Sequence, residues 1–157
     1  MYAYCGSNPV MYCDPSGYQR ENSCIVSKES GSRSNTGSNS KKLSKNLKRE
    51  GRPVRKGEAA AHIVASTGSQ NQWKQAADSR RLLKKYNINI NDAANGIPLG
   101  HPRPHNTTHN GDFHRMVNSK LYKVEESMKK KGYGKKAIRS ALRKELRKIG
   151  KQVEIGL

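Results

Sequence analysis

Residues 86–109 read YNININDAANGIPLGHPRPHNTTH, and the fold that we expect is argued outward from this stretch. Isoleucines alternate with asparagines at its start, and Asp92-Ala93-Ala94 then allows one helical turn before Asn95-Gly96 bends the chain. Two prolines and three histidines follow in residues 100–112, and such a composition is typical of a loop. The stretch predicts tightly bent backbone around Asn95, followed by a histidine-rich loop.

Upstream of this stretch, the pattern predicts a buried strand and then a helix. Residues 59–65 read AAAHIVA, an apolar run that only His62 interrupts, which favours a short buried strand. Ser69 followed by Gln72 matches a helix capping box. Apolar residues then recur at helical spacing, so we expect an amphipathic helix over residues 70–86.

Two more helices are expected downstream. The first runs over residues 113–131, and Gly132 stops it. The second runs over residues 135–149, with one apolar face surrounded by lysine and arginine, and ends before Gly150 and a short tail. Together with the strand, these helices predict an α+β domain.

The first third of the chain has a different composition. Residues 1–18 alternate aromatic and small residues and stop at the turn signal Asp14-Pro15-Ser16-Gly17. The residues that follow are rich in serine, glycine and asparagine, and residues 41–57 carry eight Lys or Arg. We therefore expect a flexible basic linker or arm over residues 19–56 and a compact domain over residues 57–157.

The charge of the chain restricts its partners. Thirty-one Lys and Arg against 12 Asp and Glu give a net charge of +19. Such an excess repels itself unless it lies against a polyanion, so we expect nucleic acid or, as the alternative, an anionic membrane surface. No run approaches the roughly 18 apolar residues that a membrane span needs, and Met1–Tyr12 lacks the features of a signal peptide. If the protein leaves its cell, another element must carry it.

Four residues form the candidate catalytic constellation: His62, Asn95, His105 and His109. Metal-assisted phosphodiester cleavage needs a neutral base for water, a cation near the phosphate oxygens and a group that orients them. His62 suits the base because burial disfavours the charged imidazole, and the histidine pair, four residues apart, can share one divalent ion if the loop turns helically. The alternatives stay open: a buried structural histidine, a turn asparagine and surface histidines that contact phosphate or nothing.

The order of these residues resembles that of a known nuclease family. The motif Ala61-His62-Ile63-Val64, a helix, residues 86–99 and then HxxxH at His105 and His109 follow the pattern of AHH nuclease toxins in the HNH/endonuclease VII (His-Me finger) group. The resemblance covers residues 58–122. It implies an α+β fold built on a ββα-metal core, with additional helices and a basic C-terminal helix.

The same resemblance implies a role for each member of the constellation. His62 takes the place of the general base, Asn95 that of the central asparagine, and His105 with His109 that of the metal-binding and phosphate-facing pair. A divalent cation (Mg²⁺, Mn²⁺ or Zn²⁺) would assist an endonuclease that leaves a 5′-phosphate and a 3′-hydroxyl.

The chain departs from the family pattern at Ala61. The family has the first histidine of Ala-His-His there, a metal ligand, so the resemblance implies either a weaker metal site that water or Asp112 completes or a broken one. His114 has no counterpart in the family and is a further candidate.

A second resemblance lies at the N-terminus. Tyr2–Gly17, YAYCGSNPVMYCDPSG, resembles the closing segment of an RHS-repeat core, with its Tyr-x-Tyr, Asn-Pro and Asp-Pro-x-Gly. In that family a repeat shell encloses a variable C-terminal toxin. The resemblance implies a toxin that is secreted or delivered into a target cell as the tip of a larger bacterial protein, that acts in the target cytoplasm, and that needs an acidic immunity protein as partner.

Basic side chains outside the constellation are assigned to substrate binding, with DNA favoured over RNA. The candidates are Lys41, Lys42, Arg52, Arg55, Arg103, Arg115, Arg139 and Arg143. Two other functions stay open: a non-catalytic basic nucleic-acid-binding module, and a membrane-active element formed by the cationic last helix. Metal-dependent cleavage distinguishes a nuclease from the first, and leakage of anionic vesicles tests the second.

Overall fold

A computed structural model describes residues 30–68 and 73–156 of the protein. The chain divides into two compact units at Asn35, and the second, Thr36–Leu157, contains all the elements except the first turns of the first helix. The strands and turn predicted for residues 1–18 lie outside the described residues, and so does the capping box predicted at Ser69 and Gln72.

Four helices, two strands and two short 3-10 helices make up the described chain. They are helix α1 (Ser30–Arg49), strand β1 (Glu58–His62), helix α2 (Lys74–Lys85), a first 3-10 helix (Ala93–Asn95), strand β2 (Gly96–Gly100), a second 3-10 helix (His105–His109), helix α3 (Gly111–Lys130) and helix α4 (Lys135–Ile155). The fold is the small α+β fold that the sequence predicts. None of the helices among the described residues has the length and hydrophobicity that a membrane span requires.

The two strands form an antiparallel sheet. Its register places Ala61 opposite Ile97 and His62 opposite Gly96. Because side chains alternate across a strand, Ala61 enters the hydrophobic core, whereas Ala60 and His62 line a cleft on the other face. The register therefore decides which side of the sheet carries the histidine.

Helices α2, α3 and α4 supply most of the core. The apolar faces predicted for them are buried, and Ile138, Leu142, Leu146 and Ile149 of α4 form one continuous stripe. Trp73 has a non-helical backbone and directly precedes α2, which therefore begins later than predicted. At the other end of that helix, the left-handed φ of +54° that Asn87 adopts turns the chain towards the asparagine-rich stretch.

Helix α4 continues past its predicted end. Gly150 lies inside the helix, and a Cβ there would come within 2.7 Å of Ile97 Cγ2 and 3.3 Å of Ile63 Cδ1. The glycine is thus a point of close packing between α4 and the sheet, and the helix ends only at Gly156, where φ is +98°. The prediction that Gly150 terminates the helix is wrong because the contact with the sheet outweighs the poor helix propensity of glycine.

Helix α1 corrects the prediction of a flexible linker and arm. Leu43 and Leu47 are fully buried, and they pack with Ala60 and Ala93 in a second hydrophobic cluster. Their i, i+4 spacing places both on one face of the helix, so the basic segment belongs to the folded domain. The helix also extends back to Ser30, into residues that composition alone assigned to a linker.

Candidate active site

Four of the five histidines of the chain surround one cleft of about 250 Å³. Its lining comes from α1, β1, the loop after β1, Trp73, the second 3-10 helix and α3: Ser40, Ala60, His62, residues 65–68, Trp73, His105, His109 and His114. Larger clefts of about 510 Å³ lie beside Lys84 and beside Phe113, but no histidine lines either of them. Chemistry rather than volume identifies the candidate site.

His62 stands at the end of β1 and is half-buried. Its Nε2 lies 3.0 Å from Asn91 Oδ1. Burial lowers the pKa of His62 from the ordinary value of 6.5, the hydrogen bond with Asn91 raises it, and the nearby His109 lowers it further. The net effect is a lowered pKa, so the imidazole is neutral near pH 7 and can accept a proton.

Asn91 is a site residue that sequence reasoning missed. It is buried, and its side chain contacts two other side chains: Oδ1 faces His62, and Nδ2 donates to Asn39 Oδ1 at 3.1 Å. Asn46 Nδ2 also donates to the Asn91 carbonyl oxygen at 2.7 Å. The only sequence signal was the density of asparagines in NININD, which does not say which of them reaches the histidine.

Asn95 clamps two stretches of backbone together. Its side chain is fully buried, Oδ1 accepts from Val64 N at 2.8 Å, and Nδ2 donates to Val64 O at 3.1 Å and to Ile90 O at 2.8 Å. These bonds join the backbone just after β1 to the stretch that leads into β2, and the amide makes no hydrogen bond to His62 among the described residues. Asn95 is also not left-handed, because among the described non-glycine residues only Asn87 has positive φ.

His105 and His109 come together as the spacing predicts, because the end of the loop turns into a 3-10 helix. The Nε2 atoms of the two rings lie 3.3 Å apart. On its other side, His105 Nδ1 lies 3.2 Å from Nδ1 of the exposed His101. Burial lowers the pKa of both His105 and His109, and the neighbouring histidines lower that of His105 further. Both rings therefore favour the neutral form that binds a metal ion.

The geometry of this pair fits a divalent ion. Two imidazole nitrogens that bind one tetrahedral zinc ion at about 2.0–2.1 Å lie about 3.3–3.4 Å apart, and the two Nε2 atoms are separated by 3.3 Å. Within residues 30–68 and 73–156, however, no three His, Cys, Asp or Glu side chains form a group that could hold an ion. The pair can thus supply two ligands, and water would supply the others.

The other residues considered as ligands are placed differently. Asp112 is exposed in the first turn of α3, forms an ion pair with Arg115, and lines a cleft without histidines. His114 is buried and lines the histidine cleft, with its ring edge-on to Trp73 at 4.7 Å between centroids. Ala61 points into the core, so a side chain at that position does not enter the cleft.

Arg80 is a second residue that the sequence did not single out. Its guanidinium donates to the carbonyl oxygens of Ala65 at 2.9 Å, Thr67 at 3.1 Å and Gly68 at 2.9 Å. These residues form the loop that walls the cleft beside His62. The sequence did contain an indication that Arg80 faces the protein: it lies four residues after Ala76 and three before Leu83, on the buried side of α2.

The basic side chains assigned to substrate binding divide into two groups. Arg52 donates to Gly96 O and Ala93 O at 3.0 and 2.6 Å, and Arg143 pairs with Asp92 at 3.0 Å. Arg52, which follows α1, and Arg143 of α4 are thus both bonded to the asparagine-rich stretch of the protein itself. The remaining candidates are exposed: Lys41, Lys42, Arg55, Arg103, Arg115 and Arg139.

Comparison with known proteins defines the class of this chain. Residues 42–153 match the model of a nuclease family of the HNH/ENDO VII superfamily with conserved AHH. Because the match covers more than half of the chain, the protein belongs to the AHH family and is a nuclease. Nucleases of this superfamily generally use divalent metal ions. Comparisons with curated proteins and with solved structures gave no match.

Proposed function

We propose that this protein is a metal-dependent endonuclease that hydrolyses phosphodiester bonds, with DNA as the favoured substrate. The observation that carries the proposal is the cleft that gathers His62, His105 and His109, in a chain of the AHH nuclease family. A neutral imidazole stands opposite two others that can share a cation. Water activation requires a neutral base such as the first imidazole, and phosphate binding requires a cation such as the one that the other two can hold.

In this mechanism His62 is the general base. Its Nε2 is engaged by Asn91 Oδ1, so Nδ1 accepts the proton as the water oxygen attacks phosphorus and the bond to the leaving oxygen breaks. Burial keeps the pKa of His62 low, so the base is unprotonated before the reaction. A divalent ion on His105 and His109 would supply positive charge to the phosphate oxygens.

Exposed cations around the domain would hold the nucleic acid. In α1, Ser40 lines the cleft, and Lys41, Lys45 and Lys48 are exposed in the turns that follow it. Their spacing of four and three residues makes one stripe along the helix. Contacts of this kind are made to phosphates and are independent of base sequence, so affinity should fall steeply with salt.

The biological setting is also part of the proposal. The segment Tyr2–Gly17 resembles the end of an RHS-repeat core, and this supports a toxin that a larger bacterial protein carries into the cytoplasm of a competitor cell. A cognate immunity protein would protect the producer, and the net charge of +19 favours an acidic one.

The purified chain is tested on plasmid DNA and on total RNA, each with Mg²⁺, Mn²⁺, Zn²⁺ or EDTA. We expect metal-dependent cleavage, and a loss of at least about 100-fold in His62→Ala, because general bases contribute about 10²–10⁴-fold. His105→Ala should weaken metal binding measured by calorimetry. Asn106→Ala is the matched control, since Asn106 is exposed on the same 3-10 helix and does not line the cleft. Tight binding of nucleic acid without cleavage under every condition would refute the proposal.

A further inference from the structure

Helix α1 is linked to His62 by hydrogen bonds that pass through Asn91. Asn39 and Asn46 of α1 both contact Asn91, the first by accepting from its Nδ2 at 3.1 Å and the second by donating to its main-chain oxygen at 2.7 Å. Asn91 in turn meets the His62 ring at 3.0 Å. The Asn91 main-chain N–H is fixed as well, because it donates to Asn89 Oδ1 at 2.8 Å.

These contacts determine which way the Asn91 amide faces. An asparagine amide has a donor end and an acceptor end, and the donor end points to Asn39 Oδ1. The acceptor end, Oδ1, is therefore turned to His62 Nε2. An oxygen of this kind only accepts hydrogen bonds, so Nε2 must carry the hydrogen. A neutral imidazole has a single N–H, and the lone pair is left on Nδ1.

The local backbone does not need the Asn91 side chain. Asp92 caps the first 3-10 helix through its own carboxylate, at 2.9 Å from Ala94 N, and Asn95 bonds to the backbone of Val64, just after β1. Asparagines in turns usually bond to nearby backbone, whereas both ends of the Asn91 amide are used by other side chains. This arrangement serves His62.

We propose that Asn91 is a positioning residue, held by Asn39 and Asn46, which keeps His62 in the tautomer with hydrogen on Nε2 and a free lone pair on Nδ1. The segment that reads as a linker in the sequence is then part of the catalytic apparatus. The inference rests on the proposed function only where it treats His62 as the general base. The tautomer itself is a property of the protein without substrate.

The test is two-dimensional ¹⁵N NMR of the histidine rings in the full chain, free of metal and above the ordinary histidine pKa, where the nitrogen that carries hydrogen is distinguished by its shift. Wild type should show His62 with hydrogen on Nε2. Asn91→Leu removes the acceptor, and the ratio of the Nε2–H to the Nδ1–H form should fall about fivefold or more, the factor that corresponds to about 1 kcal/mol for one hydrogen bond.

Two further variants separate positioning from general stability. Asn91→Asp retains an acceptor and should restore the Nε2–H form. Asn118→Ala is the matched control: Asn118 also hydrogen-bonds across elements, to Gln75 O and Ser79 Oγ, but away from the cleft, so the His62 signal should stay unchanged. With nucleic acid, Asn91→Leu should lower kcat about tenfold or more and leave KM nearly unchanged, because binding contacts are retained.

The outcomes distinguish this inference from the proposed function. If His62 carries its hydrogen on Nδ1 in wild type, or if Asn91→Leu leaves its tautomer unchanged, the positioning role is wrong even when the protein cleaves DNA. If the tautomer responds as expected but His62→Ala cleaves normally, the role of His62 as base fails and the inference about its ring stands.

Discussion

Replacing Asn95 by alanine should destabilise the domain as a whole. The substitution removes three hydrogen bonds from a fully buried side chain, those to Val64 N, Val64 O and Ile90 O. At a net value of about 0.5–1.5 kcal/mol each, and with buried partners left unsatisfied, the free energy of unfolding should fall by about 2–4 kcal/mol. For a domain of this size, the loss corresponds to a decrease in Tm of about 6–20 °C.

The measurement is thermal unfolding, followed by circular dichroism and by Trp73 fluorescence, together with nuclease activity at a temperature where the variant is folded. Asn106→Ala is the control, since Asn106 is exposed and its side chain makes no hydrogen bond within the described residues; its Tm should not change. If Asn95→Ala keeps the wild-type Tm and loses cleavage, Asn95 acts on the reacting groups and the clamp is not its role.

Three further predictions concern Glu125, Leu47 and the pH dependence of cleavage. Glu125 accepts from Lys85, Tyr86 and Lys129, and although its burial alone would raise the carboxyl pKa, these bonds lower it to about 2. The lowered pKa corresponds to a stabilisation of about 3 kcal/mol at neutral pH, and this contribution is lost as pH falls from about 4.5 to 2. The free energies of unfolding of wild type and Glu125→Gln, measured by denaturant melts, should therefore converge at low pH. A difference that stays constant with pH would contradict this prediction. Leu47→Ala should lower the free energy of unfolding by about 2–5 kcal/mol, a loss absent if the segment were a free arm. Because the pKa of His62 lies below 6.5, kcat/KM should stay level from neutral pH down past 6.5 before it falls. If kcat/KM falls to half its value at a pH above 6.5, His62 is not the general base.

Much of the fold could be predicted because the strongest patterns are local. The apolar spacing of α2, α3 and α4 follows from the 3.6-residue period of a helix and needs no knowledge of the partner. Gly150 and Leu43 show where this reasoning ends. A glycine in the sequence suggests the end of a helix, and a leucine in a basic segment gives little indication of burial. Gly150 and Leu43 are nevertheless buried, because each packs against residues in or beside the sheet.

The sequence singled out three histidines that the structure gathers in one cleft, but it did not single out the residues that hold them there. His62, His105 and His109 carry chemistry in their own side chains, and their order along the chain resembled a known pattern. Asn91 and Arg80 have ordinary side chains, and they matter because of which atoms they meet after folding. Arg52 and Arg143 show the converse: a positive charge in the sequence does not reveal that its guanidinium already bonds to backbone carbonyls or to the carboxylate of Asp92.

The packing of α1 also defines the smallest fragment worth expressing. A chain that begins at Gly57, where composition suggests that the domain starts, would lack Leu43, Leu47 and the two asparagines that contact Asn91. Such a fragment would expose the apolar groups that these leucines cover and would be prone to aggregate, so its inactivity would say nothing about catalysis. Cleavage of the chain between Arg49 and Gly57 would likewise separate these groups from the rest of the domain and leave a damaged nuclease.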